Sequence, residues 1–290
     1  MSGPTSTAEA LQLPTQTIPR TYLIRTDTER YVGDLSYHNV SEARLQLVRP
    51  ESSRVELRSL SYRQTNNEGE NRMDAALAQL RHTLSLTLWP SGRIDSIENQ
   101  PELLDRYKTI RASWQKQHPA DKDFSPAHLE AIGRVFADPD HLIRTISQAP
   151  ELELLLPAIY DRTYTYNQPV AGPPAFITPL TGSLVMPLKT TIVRRKPHYP
   201  DVALDLMLTG ELDEKQFPFD EARRWLQTLT GVVDIDPTPA IQYILTFEFD
   251  RQHNLLHAGR FVTCIYEHVA MSKVITQVGP AEAAIYPAKS

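Results

Sequence analysis

Imidazole and carboxylate side chains carry the richest chemistry in this sequence, and several short stretches gather them. Asp250, His253 and His257 stand around a predicted hairpin turn, where converging oxygen and nitrogen donors suit a divalent metal ion. Histidines four apart converge on a helix, however, and here the interval crosses a turn. Asp234 and Asp236 form an Asp-x-Asp pair of the kind that holds a metal between two carboxylates. Pro237 and Pro239 directly after it favour a capped loop instead. Asp138, Asp140 and His141 form a third cluster, in which Asp138 before Pro139 reads as a helix cap and Asp140 as a first-turn acid favoured by the helix dipole. Glu211, Asp213 and Glu214 offer paired carboxylates for acid–base work, yet a chain with 35 acidic residues supplies such neighbours from composition alone.

The densest basic run is Arg194, Arg195 and Lys196 with His198 and Tyr199, which suits either a phosphate or acidic partner or a solvated strand end. No Gly-rich phosphate loop, nucleophile elbow, Cys-x-x-Cys pair or His-Glu-x-x-His helix occurs. With 11 glycines, mostly at turns, a dinucleotide-binding or phosphate-loop fold has no support. Each cluster thus has a structural explanation. No catalytic, cofactor-binding or metal residue is assigned, no cofactor is expected, and the leaning is away from an enzyme.

These groups must be positioned by a chain whose apolar fraction of 41% and charged fraction of 22% place it among folded globular proteins. Its 290 residues allow one large unit or two packed lobes. A net charge of −5 argues against a nucleic-acid or anionic-membrane partner, both of which attract clustered cations. The single cysteine, Cys264, excludes an intrachain disulfide and falls on one face of a strand with Val262 and Tyr266, where a thiol behaves as a small hydrophobe. Without a basic, apolar leader at Met1–Pro19 or a bilayer-length apolar run, a soluble, cytoplasmic protein is the expectation.

The fold class expected is α+β. Antiparallel sheet is predicted in the N- and C-terminal parts, with a helical segment at about 99–160 between them and one further helix near 219–230. Residues 1–19 read as an extended polar arm without a core of its own. In the N-terminal part, 20–98, period-two spacing predicts short strands at Tyr22–Ile24, Tyr31–Tyr37, Leu45–Leu47 and Val55–Leu57. Arg25–Arg30 and Arg49–Ser53 serve there as connections. A short helix follows through Met73, Leu77 and Leu80, then a hairpin turning at Pro90, Ser91 and Gly92. Asn99 with Glu102 predicts a capped helix start, as do Ser125 and Asp138, each before a proline. The C-terminal part, 161–290, is β-rich, with a proline-interrupted edge between Gln168 and Pro187. Its helix at 219–230 stops at Gly231, and a meander runs from Leu245 through His268 to Val278.

Three functions fit these readings. The first is a non-catalytic structural or interaction protein, a subunit of a larger assembly, meeting other protein subunits or a second copy of itself through the arm and strand edges. The second is a carrier of a hydrophobic ligand, with segment 152–159 and Tyr164, Tyr166, Phe247 and Phe249 lining an apolar cavity between curved sheet and helices. The third is an enzyme whose site is assembled from scattered residues.

Overall fold

The computed structural model describes residues 8–66, 75, 77–78, 80, 82–117, 125–178, 184–266 and 269–281. The described part is mostly antiparallel strand, with fewer helices. Two compact units divide the chain: one made of 1–12, 25–40 and 161–278, the other of 13–24, 41–160 and 279–290.

In the unit containing 161–278, β1 (Glu9–Leu11) pairs antiparallel with β7 (Arg162–Tyr164). The segment read as an extended arm without a core of its own therefore has a fully buried residue, Leu11, and an ion pair from Glu9 to Arg194. β2 (Gln16–Val32) begins inside that same segment. It turns at Gly33 and Asp34 into β3 (Leu35–Glu51), and Gly33 takes φ +55, a conformation that glycine adopts without a Cβ penalty.

Two long strands thus replace three of the short ones expected. Arg25–Arg30 is strand, not connection. Its side chains are half-buried or exposed on both sides, so the one-sided apolar alternation that marks a strand in sequence is missing there.

Next to β2 come β14 (Ala270–Pro280), β13 (Leu255–Tyr266), β12 (Ala240–Phe249), β11 (Leu204–Leu212) and β10 (Met186–Arg195), all antiparallel. The proline-rich stretch adds only β8 (Val170–Ala171) and β9 (Ala175–Ile177) against β10, as suits an edge where proline cannot donate to a ladder. One face of this sheet is closed and largely apolar: Leu204, Leu206, Leu208, Leu245, Phe247, Phe249, Val262 and Cys264 are all buried, with Arg260, Ser272 and Thr276 buried on the same face. The helix Phe219–Thr230 contributes buried Ala222 and Leu226, and its Trp225 ring lies 6.2 Å from that of Tyr266. Gly231 ends it at φ +71, its N–H donating to the Gln227 carbonyl.

In the unit containing 41–160, β3 pairs with β4 (Arg54–Gln64), β4 with β5 (Thr83–Leu88) and β5 with β6 (Ile94–Ile97). Pro50 sits where the β3–β4 register breaks, between Val48 and Glu51. Ala75, Leu77, Ala78 and Leu80 are helical, while Met73 lies outside the described residues, as do Pro179 and His268.

Four helices follow: α1 (Gln100–Gln117), α2 (Pro126–Ala137), α3 (Pro139–Ser147) and α4 (Pro150–Leu155); Phe219–Thr230 is α5. Ser125 and Asp138 cap α2 and α3 by accepting from the N–H groups of His128 and His141. Asn99 does a different job from the cap expected of it. Its Oδ1 accepts from Ser85 N at 3.0 Å and its Nδ2 donates to Thr83 O at 2.9 Å, so its amide ties the start of β5. Tyr107 of α1 stacks on Phe136 of α2 at 5.1 Å and donates to the Leu129 carbonyl.

The β5–β6 turn is the tightest point of this unit. Gly92 has φ +89, and a Cβ there would meet the Pro157 carbonyl at 2.5 Å and Tyr160 Cδ2 at 2.6 Å. Gly92→Ala is predicted to lower stability by about 2–4 kcal/mol through overpacking and a disfavoured backbone angle. Urea unfolding measures this, and an unchanged midpoint would show that the turn relaxes freely.

Candidate functional site

The clusters singled out in sequence are largely taken up by the fold. Asp250 Oδ1 accepts from the N–H groups of Gln252 at 2.8 Å and Asn254 at 2.9 Å, which builds the turn before β13. His253 adopts φ +63 in that turn and its Nδ1 accepts from Gln12 N at 3.2 Å, while His257 lies on β13, paired across the ladder with Glu248. The three are not brought together. Asp236 accepts from Thr238 N at 2.8 Å, and that bond, followed by the Thr238 side chain, holds its carboxyl below the usual range. Asp234 is exposed. Asp213 is buried and pairs with Lys189 Nζ at 2.8 Å, the main reason its carboxyl is held low, and it also accepts from Lys215 N and Gln216 Nε2. Glu211 and Glu214 are exposed. Of the basic run, Arg194 is paired with Glu9 and Arg195 with Asp205, whereas Lys196, His198 and Tyr199 are exposed.

Of the side chains expected to line an apolar cavity, Tyr166 is exposed and most of the others are buried. Leu152, Leu154, Leu155, Leu156, Ile159, Tyr164, Phe247 and Phe249 are buried, and the rings of Phe247 and Phe249 lie 6.3 Å apart. A cleft of about 570 Å³ exists elsewhere, between Ser59–Gln64 of β4 and the helical Ala75 and Ala78 with His82. Its size suits a small ligand, and its wall mixes the polar Ser59, Ser61, Arg63 and Gln64 with the apolar Leu60, Ala75 and Ala78.

Two constellations that local sequence did not reveal appear once the strands are paired. Asp27 and Glu29 of β2 and His38 of β3 offer ligand atoms within 4.8 Å of one another, with Asp27 Oδ1 to His38 Nε2 at 2.9 Å. All three are partly or fully solvent-exposed, and Glu29 is engaged by Lys273 at 3.1 Å.

The other constellation lies on the outward face of the β10–β14 sheet. Register sets Arg195 opposite Asp205, Asp205 opposite Glu248, and Glu248 opposite His257. Burial pushes the Glu248 carboxyl above its usual range; His257 and Arg195 pull it down, while Asp205 and Asp201 push it further up.

Four residues along the strands, about 13 Å away at the usual rise, the same face carries an apolar row. Ile244 pairs with Phe261, and Phe261 with Ile275, each half-buried. Ile265 and Met271 continue the apolar character one row beyond Thr263 and Lys273. Among the described residues no helix is long and apolar enough to cross a membrane.

No family model matches this sequence, and no curated protein matches it. Among solved structures, one of lipovitellin, described as concerning lipid–protein interactions, aligns over 96% of this chain at 9% identity with a TM-score of 0.47. This chain spans 26% of the length of that one.

Two outcomes follow from the burial of ionisable groups. Cys264 is buried and its thiol is pushed up to about 12 by desolvation, so it holds almost no thiolate at neutral pH. Iodoacetamide is expected to leave the native chain unmodified and to label it at one site in urea; rapid native labelling would contradict the packing of β13. For Glu248 the folded carboxyl titrates above its unfolded value of 4.5, so at neutral pH its charge costs stability that is not lost below that value. Glu248→Gln should therefore raise the Tm at neutral pH, and the gain should shrink as the pH falls toward 4.5, as followed by thermal melts across that range.

Proposed function

We propose that this protein is a non-catalytic interaction protein, a subunit of a larger protein assembly, and that it joins through the outward face of the β10–β14 sheet with a second copy of itself as partner. The observation that carries this reading is the row Ile244, Phe261, Ile275, three large apolar side chains side by side on a sheet face where alternation would place polar groups.

The row is self-complementary. A two-fold axis parallel to the strands and passing over Phe261 would set Phe261 on Phe261 and Ile244 on Ile275 twice, which is the reciprocity a closed two-fold interface requires. The flanking rows suit the same arrangement: Gln242 would face Lys273, and Thr246 would face Gln277, with Gly259 against itself. These pairs bring no like charges together. Docking by a face also accords with the engagement of Glu9–Leu11 within its own chain, which leaves that part of the arm paired with β7.

Phe261→Asp tests this. Wild-type protein is expected to show a concentration-dependent rise in mass by sedimentation velocity, and Phe261→Asp, on an outward position that leaves the buried face untouched, is expected to remain a monomer with an unchanged far-UV spectrum. A wild-type chain that stays monomeric at the highest attainable concentration would sink the proposal.

A further inference from the structure

The polar row at the far end of the same face has one feature that an ordinary ion pair leaves unexplained. Asp205 is 1% exposed, and Arg195 satisfies only one of its oxygens: Nε and Nη2 both donate to Oδ1, at 3.0 and 2.6 Å. Oδ2 is buried and, among the described residues, accepts no hydrogen bond. A carboxylate oxygen held out of water without a donor is costly, so its surroundings indicate what it is suited to receive. His198, carried by the β10–β11 connection, brings its Nδ1 to 3.9 Å from Oδ2. On the other side Glu248 is the direct cross-strand neighbour of Asp205, and His257 that of Glu248. Cross-strand neighbours hold their Cβ atoms about 5 Å apart, so side chains from three adjacent strands reach a common point above the middle one.

We propose that His198, Asp205, Glu248 and His257 form a binding site for a divalent transition-metal ion of the zinc type. Two imidazoles and two carboxylates are a donor set that such ions prefer, whereas calcium and magnesium select oxygen alone. With metal–ligand bonds of about 2.0–2.2 Å, donors around a tetrahedral ion stand roughly 3.3 Å apart, so the Oδ2 to Nδ1 separation needs to shorten by about half an ångström. The other donors do not yet stand together, since among the described residues only Asp27, Glu29 and His38 bring three ligand atoms within 4.8 Å of one another, so binding requires the exposed His198 and His257 rings and the half-buried Glu248 to rotate toward Oδ2.

Arg195 then has a defined part: by occupying Oδ1 it fixes the carboxylate plane and presents Oδ2, as outer-shell partners of metal ligands do. Its charge, set against the two carboxylates, leaves the donor set with one net negative charge, which keeps the site attractive to a dication. The site does not rest on the assembly reading, because its donors lie outside the Ile244–Phe261–Ile275 row.

The test is calorimetric titration of the full-length protein with Zn²⁺, comparing wild type with His198→Ala, His257→Ala and His38→Ala. The first two replace exposed rings, and thermal melts check that each variant is folded. His38→Ala removes the competing exposed cluster with Asp27 and Glu29. The expected result is saturable binding near one equivalent, weakened about 10- to 100-fold in His198→Ala and in His257→Ala and unchanged in His38→Ala. The proposal is overturned by the absence of saturable binding in the wild type, or by binding that survives loss of both His198 and His257 or that disappears with His38. Metal binding is read as heat and stoichiometry and the assembly as sedimenting mass, so either proposal can fail alone.

Discussion

The pairing of β10 to β14 is held by main-chain hydrogen bonds whose spacing admits no half-step. Side chains alternate strictly across a strand, so a slip of one residue would send Leu204, Leu206 and Leu208 to solvent and draw Asp205 and Met207 inward. With several large apolar side chains per strand, each contributing about 1.5–3 kcal/mol on full burial, that alternative is closed. Everything on the outward face follows from this one fixed register. The row of Arg195, Asp205, Glu248 and His257 and the row of Ile244, Phe261 and Ile275 are both consequences of where the inward leucines and phenylalanines must go. The irregularity between Glu248 and Phe249 allows one extra residue on β13, which lets Leu255 and His257 both keep their places despite the tight turn at 250–254.

The unit containing 41–160 solves a different problem, that of a buried cation. Arg49 is 3% exposed, and its guanidinium lies 5.6 Å from the centre of the Tyr160 ring. Arginine cannot shed its charge as a buried lysine can, so the environment must accommodate it. The quadrupole of Tyr160 faces the cation, and Tyr22 brings a second phenol into the same charged neighbourhood. Burial raises both phenols, with Arg49 pulling in the opposite direction. The turn at Gly92 runs so close to the Tyr160 ring that a Cβ there would clash with it, and Tyr160 N donates to the Ser91 carbonyl, so the turn and the ring are held together.

Where a feature depends on neighbours in sequence, it could be read from sequence. Ser125 and Asp138 cap their helices, Gly231 stops α5, and the Pro90–Gly92 turn sits between two strands, because each rests on contacts spanning only a few residues. Asn99 shows the limit. The pattern of a cap was present, but two strand backbone groups 14 and 16 residues away use the same amide. Arg25–Arg30 shows another: a strand with no fully buried side carries no periodic signal, and its place in β2 is set by neighbours in the sheet. The donors around Asp205 were hidden for a related reason. Arg195 and Asp205 are symmetric about the β10–β11 connection, so counting outward from it aligns them, but the same count across the turn at 250–254 sets Glu248 opposite Leu256, and only the extra residue on β13 brings His257 there; grouping by proximity in sequence selected Asp250 with His253 and His257 and split His198 from its carboxylate.

The strands that end the pairing order are short: β6 has four residues, β8 two and β9 three. An incoming strand would find too few free backbone groups there to hold its place, and the prolines at 169, 173 and 174 remove donors from one such margin. Growth by adding strand to strand has no foothold at these ends. If such chains associate as proposed, through a broad face whose contacts are used up once they are met, a population of them is expected to stop at a definite stoichiometry and not to lengthen into fibres.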